Sequence, residues 1–199
     1  MSNCDNSFLD NRNMIWNSEE FSKMDIAIKD NFFEEKQHTS IMNDMLNASY
    51  DPPPTGNVKG NQGCYWFGHV LPQECEVQNL IKGLIKKHFN FKIKDFVVPT
   101  FYTMVGATDK GRPHRDITMK GQKGAPTHQC IIYVKGDEKM NNGTGFYKMI
   151  NDEAFLVDHI GFKQNRAIFF NSRFYHCPTH YAGDSSWRYA ISNFFNEEL

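Results

Sequence analysis

The chain lacks most of the features that would settle its class at a glance. It has no C-x-x-C pair, and its five cysteines, Cys4, Cys64, Cys75, Cys130 and Cys177, are odd in number and irregular in spacing. That excludes a disulfide scaffold and the usual zinc-ribbon ligands, and fits a reduced cytoplasmic protein. It lacks an excess of either charge: 22 Lys and Arg against 23 Asp and Glu leave a formal net charge of -1. A phosphate-backbone partner would leave a basic excess, so no nucleic-acid partner is expected. No apolar run approaches a membrane span, and the start, Met-Ser-Asn-Cys-Asp-Asn, has no basic-then-apolar pattern, so neither a membrane partner nor a signal peptide is expected. The segment Thr55 to Gly60 lacks the Gly-Lys-Ser/Thr ending of a phosphate loop, and there is no internal repeat.

What the chain does have is aromatic mass. Phe, Trp and Tyr make up 14% of 199 residues, 17 of them Phe, which favours β-structure around a wide core. Residues 1–20 are polar and poorly patterned and read as a loose N-terminal arm, with a single domain over 21–199. Asp25–Ile28 alternates like a short strand, and Asn31–Phe33 leads into a helix through about Leu46, with Ile41, Met42, Met45 and Leu46 on one side. The prolines and glycines of 51–63 predict a loop. A second helix is predicted over Gln73–Phe89 from Val77, Leu80, Ile81, Leu84, Ile85 and Phe89 at helical spacing. Lys82, Lys86 and Lys87 are its solvated side. Short strands follow at Val97–Val105, His114–Lys120, His128–Val134, Gly145–Ile150, Ala154–Ile160, Arg166–Asn171 and Arg188–Phe195, bounded by turn residues. Helices followed by many short strands predict an α+β domain whose β-part is a sandwich or barrel.

Four residues carry the chemistry. His114 and Asp116 form a His-x-Asp pair, and two residues apart on a strand both reach one face. Such a pair is weak alone, because about one arises by chance in a chain of this composition. His176 follows an apolar strand by a short turn, while Cys177 would face away; His180, after Pro178, is the competing histidine. Two imidazoles and one carboxylate are the protein ligands of mononuclear iron(II) oxygenases, which leave the other face of the metal open. Arg188 opens the last strand with the small Ala190 and Ser192 on its face, leaving room for an anionic 2-oxo acid gripped by two parallel hydrogen bonds. Ser192 is a candidate third donor. Zinc on the same three ligands, or a non-catalytic binding or structural module, remains open on the residues alone.

From about Asp25 to Phe195 the chain resembles the 2-oxoglutarate and iron(II)-dependent dioxygenase superfamily, in its prolyl-hydroxylase-like branch and a bacterial and phage group within it. The resemblance rests on the order His114-Arg-Asp116, Cys130-Ile-Ile-Tyr-Val134, Gly143-Thr-Gly-Phe-Tyr147, Asn165-Arg-Ala-Ile-Phe-Phe170, His176 and Arg188-Tyr-Ala-Ile-Ser-Asn-Phe-Phe195. It implies a double-stranded β-helix (jelly-roll, cupin-like) core with N-terminal helices packed on it. It implies His114, Asp116 and His176 on Fe(II), and Arg188 and Tyr133 on the distal carboxylate of 2-oxoglutarate, with O2 as oxidant. Tyr102 is a further pocket candidate; Met104 fits the family's spacing better and would be apolar lining. Related halogenating enzymes have a small residue in place of the carboxylate, so Asp116 implies hydroxylation, with release of succinate and CO2. The implied partner is an amino-acid side chain, peptide or small metabolite. Base-demethylating relatives usually carry a second downstream arginine, which is missing after Arg188. Tyr65, Trp66, His180 and Trp187 are candidates for the substrate rim. Nothing in the sequence speaks to oligomeric state.

Overall fold

The computed structural model describes residues 26–51, 66–106, 113–116, 125–179 and 187–198. The expected arm over 1–20, Tyr65, His180, the Trp66 side chain and residues 117–120 of the expected His114–Lys120 strand lie outside them.

Ten strands and two helices make up the described residues. In chain order they are β1 (Ala27–Asp30), α1 (Glu35–Asn47), β2 (Trp66–Val70), α2 (Glu76–Phe89), β3 (Ile93–Phe96) and β4 (Phe101–Val105). Then come β5 (His128–Lys135), β6 (Gly143–Ile150), β7 (Glu153–Gly161), β8 (Arg166–Asn171), β9 (Tyr175–Thr179) and β10 (Arg188–Glu197). The larger sheet runs β1-β8-β5-β10-β4-β2, with β3 also paired to β10. The smaller runs β7-β6-β9, and every pairing in both is antiparallel. Two such sheets face to face, with helices on the outside of the larger, form the double-stranded β-helix of an α+β domain.

Side-chain alternation on β10 divides the core. Ile191 and Phe195 belong to a cluster shared with Ile41 and Met45 of α1 and Ile81, Leu84 and Ile85 of α2. Ala190 belongs to a second cluster, with Tyr133, Ile168 and Phe170 of the large sheet and Phe146 and Ile160 of the small one. Period-2 alternation thus gives the large sheet one face for the helices and one for the interior.

Both helices follow their apolar spacing. In α1, Ile41 and Met45 are buried, whereas Leu46 is exposed, because the helix ends there at the surface. Glu34 and Gln37 close a capping box at its start. Helix α2 begins at Glu76 rather than Gln73, after a turn in which Glu74 takes φ 59°, and Asn90 caps its end in the left-handed region. The expected strand Val97–Val105 is shortened to β4, which starts at Phe101, after Pro99, which has no N–H for a ladder. Three strands were not expected, β2, β3 and β9. No helix among the described residues is long and apolar enough to cross a membrane.

Candidate metal centre and co-substrate pocket

The centre is assembled by one isolated bridge. His114 donates its N–H to the His176 carbonyl at 3.0 Å and accepts from the His176 N–H at 2.9 Å. This sets the two imidazoles side by side, ring centroids 4.8 Å apart. Asp116, two residues on, comes round to the same side. One ligand atom each from His114, Asp116 and His176 lie within 4.8 Å of one another. His114 Nε2 is 3.8 Å from one Asp116 oxygen, and His176 Nε2 is 3.2 Å from the other. Among the described residues this is the single group of three or more such side chains able to hold a metal.

Hydrogen bonding fixes which way His176 points. Its Nδ1 lies 3.0 Å from the Phe174 carbonyl, an acceptor, so that nitrogen carries the hydrogen. That leaves Nε2 as the ring nitrogen turned toward the Asp116 carboxylate, 3.2 Å away. Burial pushes the Asp116 carboxyl up, but the hydrogen bond and charge from His176, the His114 charge and a hydrogen bond from Gln129 outweigh it and hold it below the ordinary range. Asp116 is therefore a carboxylate, the form a metal ligand needs. His176 has 4% of its side chain exposed, Asp116 17% and His114 47%, so the centre sits at the mouth of the interior and opens outward on the His114 side.

Neighbours of the ligands face the other way, as strand alternation requires. Arg115 lies 4.6 Å over the Tyr175 ring. Cys177 is buried beside Tyr147 on the opposite face of β9 from His176, as the sequence indicated.

Arg188 anchors the other end of the interior. A strand-initial arginine is usually a surface residue; this one is 8% exposed. Its Nη1 donates to the Gly143 carbonyl at 2.5 Å and the Asn142 side-chain oxygen at 3.3 Å. The guanidinium carbon is 5.6 Å from the centre of the Tyr133 ring. The Tyr133 hydroxyl is fully buried, 2.6 Å from the Thr144 hydroxyl. Burial raises the Tyr133 phenol above its ordinary range, against the partial offset of the Arg188 charge and the Thr144 bond, so it stays an O–H donor at neutral pH.

Glycine makes room for this end. A Cβ on Gly136 would press on the Phe162 ring at 3.0 Å and Arg188 Cγ at 3.3 Å. Gly143 has φ +155°, and a Cβ there would sit on the Ile160 carbonyl oxygen.

The two ends share one face of β5. Gln129 Nε2 lies 3.3 Å from His176 Nε2, and Tyr133 stands four residues further along, about 13 Å at strand rise. Ile131 and its partner Ser192 lie between them in the pairing register, and Ala190 pairs with Tyr133 itself. A group with a metal-binding end and a carboxylate end would find one partner at each end of this face. Ser192 is thus placed on the wall between the two ends.

Tyr102 is a correction. It pairs with Ile191 and His69, packs in the helix-side cluster and is 2% exposed, so its hydroxyl belongs to the opposite face from Arg188. Met104 pairs with Tyr189 on that same side. The inward residues of β4 are Phe101, Thr103 and Val105, paired with Ser192, Ala190 and Arg188. Trp187 lies against Gly106 and edge-on to Phe67, 5.7 Å between centroids. Gln129, Thr144 and Gly143 were not singled out from sequence as site residues. The alternation Gln129-x-Ile131-x-Tyr133 was the available signal for the first.

Sequence comparison matches the chain to no family model and to no curated protein. Solved structures do match. A Pseudomonas putida prolyl-4-hydroxylase superposes with a TM-score of 0.59 at 9% identity, over 90% of this chain and 96% of that one. A Trichoplax adhaerens prolyl hydroxylase, in complex with a hypoxia-inducible-factor peptide fragment, gives 0.58 at 14%, over 97% and 94%. HygX from Streptomyces hygroscopicus, with nickel and 2-oxoglutarate bound, gives 0.59 at 9%, over 93% and 86%.

The fold is that of the 2-oxoglutarate oxygenases.

Identity this low carries the oxygenase fold and nothing of the substrate. The donor set passes its own test: two imidazoles and a carboxylate, with lone pairs converging and the remaining side open, suit a divalent ion of the iron(II) kind. His114, Asp116 and His176 are the side chains that would hold it.

Proposed function

We propose that the chain is an iron(II)- and 2-oxoglutarate-dependent oxygenase that hydroxylates an amino-acid side chain or a small metabolite, releasing succinate and CO2. One observation carries this reading. The three converging ligands and the buried Arg188–Tyr133 pair lie toward the two ends of a single interior face.

The bound ion and co-substrate supply the oxidising power, by decarboxylation of the 2-oxo acid with O2. The chain supplies position and a dry pocket. His114, Asp116 and His176 would hold the ion through three protein ligands. Arg188 pairs with the distal carboxylate, and Tyr133 donates its hydroxyl to the same group once Thr144 yields that place. Phe146, Phe170 and Ile168 line the interior and exclude water. Asp116, as carboxylate ligand, keeps halide from that position, which favours hydroxylation.

Fold neighbours are known with a peptide, with hygromycin B and with nogalamycin RO, so a peptide or a small molecule is the class of substrate proposed here. Zinc hydrolysis on the same ligands would leave Arg188 without a task. The test is succinate formation from 2-oxoglutarate with iron(II) and air, across amino-acid, peptide and metabolite candidates. We expect turnover that needs iron and is lost in His176→Ala; binding of neither iron nor 2-oxoglutarate would rule the reading out.

A further inference from the structure

We infer that His38 is a positioning residue of the co-substrate pocket, which holds a bulge in β5 that sets Arg188 over Tyr133. The inference rests on the co-substrate reading above and carries it to a helix outside the pocket. Strand β10 pairs regularly with β5 as far as Ala190 and Tyr133. The next pair is Tyr189 with Lys135, so Val134 is an extra residue with no partner in either ladder register. Continued without that insertion, the register would set Lys135 directly opposite Arg188, where like charges repel. With it, Lys135 moves on to Tyr189 and is exposed. The Arg188 stem lies instead beside Gly136, where a Cβ would come within 3.3 Å of its Cγ. The guanidinium carbon then sits 5.6 Å from the centre of the Tyr133 ring, with Nη1 on the Gly143 carbonyl. An inserted residue interrupts the ladder and leaves a backbone group to be satisfied from elsewhere. Val134 is fully buried, and its carbonyl accepts from His38 Nε2 of α1, 3.0 Å away. A carbonyl only accepts, so that nitrogen carries the hydrogen. His38 is 8% exposed and shares the buried stripe of α1 with Ile41 and Met45. An apolar side chain would fill that stripe equally well; only a donor can hold the bulge.

The full chain loaded with cobalt(II) is titrated with 2-oxoglutarate, and cobalt affinity is measured separately by competition against a chelator. His38→Leu and His38→Met remove the donor and retain bulk, His38→Gln retains an N–H donor, and thermal unfolding shows which of them folds. We expect 2-oxoglutarate to bind about 10-fold more weakly without the donor, a part of what a buried charged pair contributes. Cobalt affinity should stay within about two-fold, and His38→Gln should recover most of the lost 2-oxoglutarate binding. Gly136→Ala reads the same geometry without touching α1. Its added methyl presses on the Arg188 stem and should also weaken 2-oxoglutarate about 10-fold, with cobalt affinity unchanged. Where Arg188→Ala weakens 2-oxoglutarate binding, donorless variants that bind it as the wild type does, or that lose cobalt in equal measure, would overturn the role of His38 alone. A Gly136→Ala chain with wild-type affinity for 2-oxoglutarate would overturn it as well. A cobalt-loaded wild-type chain that takes up no 2-oxoglutarate would overturn the co-substrate reading and this one with it.

Discussion

At the scale of single residues, Arg188 carries the heaviest expectation. Its guanidinium is buried at the mouth of β10, and no other arginine follows it in the chain. In metal-loaded protein, Arg188→Ala should weaken 2-oxoglutarate binding by about 2–5 kcal/mol, the usual cost of deleting one partner of a buried charged pair. A titration showing unchanged affinity would remove Arg188 from the pocket. Gly143 is the second. Any side chain there meets the Ile160 carbonyl in a backbone region that L residues rarely adopt. Gly143→Ala should therefore cost about 1–3 kcal/mol of stability, read as a lower urea midpoint, and should disturb the carbonyl that receives Arg188. An unaltered midpoint would show that the strain has been misjudged.

At the scale of elements, β1 is held to β8 by a network around Asp30. Arg166 Nε donates to Asp30 at 2.6 Å, and Lys163 Nζ lies 2.9 Å away. The Arg166 hydrogen bond, helped by Lys163 and opposed by burial, lowers the Asp30 carboxyl to about 2. The folded state thus binds this proton more weakly than the unfolded state. Its stabilisation is complete above the ordinary carboxylate range and fades as pH falls toward the folded value. Asp30 is partly exposed, so Asp30→Asn should cost only about 1 kcal/mol near neutrality. The gap between the two urea midpoints should narrow between pH 5 and pH 3, on the order of the window set by those pKa values; a constant gap would deny Asp30 its charge-dependent role.

The elements also show what the sequence could say. Strand β8 matches its expected limits of Arg166 and Asn171, because its apolar run is bounded by turn residues at both ends. His176 and Cys177 were assigned to opposite faces correctly, since alternation needs only extended backbone. Phe101-Tyr-Thr-Met-Val105 is apolar or aromatic nearly throughout, so nothing internal to it says which parity faces inward. Its partner β10 decides this, and pairing with Ile191 sets Tyr102 on the helix-side face. Strand β9 is five residues long and contains Pro178, and β2 contains Gly68 at the end of a Pro- and Gly-rich stretch. Both look like turns until a partner strand supplies the ladder.

At the scale of the whole molecule, the candidate metal ligands come from sequence positions 114 to 176 and join a strand of the small sheet to the segment between β4 and β5 of the large one. A divalent ion should therefore stabilise the folded chain as a unit. Free metal at 100 times its dissociation constant adds about 2.7 kcal/mol to the folded state. In a domain of this size that corresponds to a rise in Tm of roughly 5–10 °C. We expect the rise with iron(II) or cobalt(II), its reversal by chelator, and its loss in His176→Ala; an equal rise in that variant would place the ion elsewhere.

The most direct measurement is a titration of 2-oxoglutarate into the iron(II)-loaded chain without oxygen, followed by visible charge-transfer absorption, which arises only when the 2-oxo acid binds the ion itself. We expect a band that saturates at one co-substrate per chain, vanishes in His176→Ala and needs far more ligand in Arg188→Ala. No band at saturating iron and 2-oxoglutarate would contradict the central claim that His114, Asp116, His176 and Arg188 form one site.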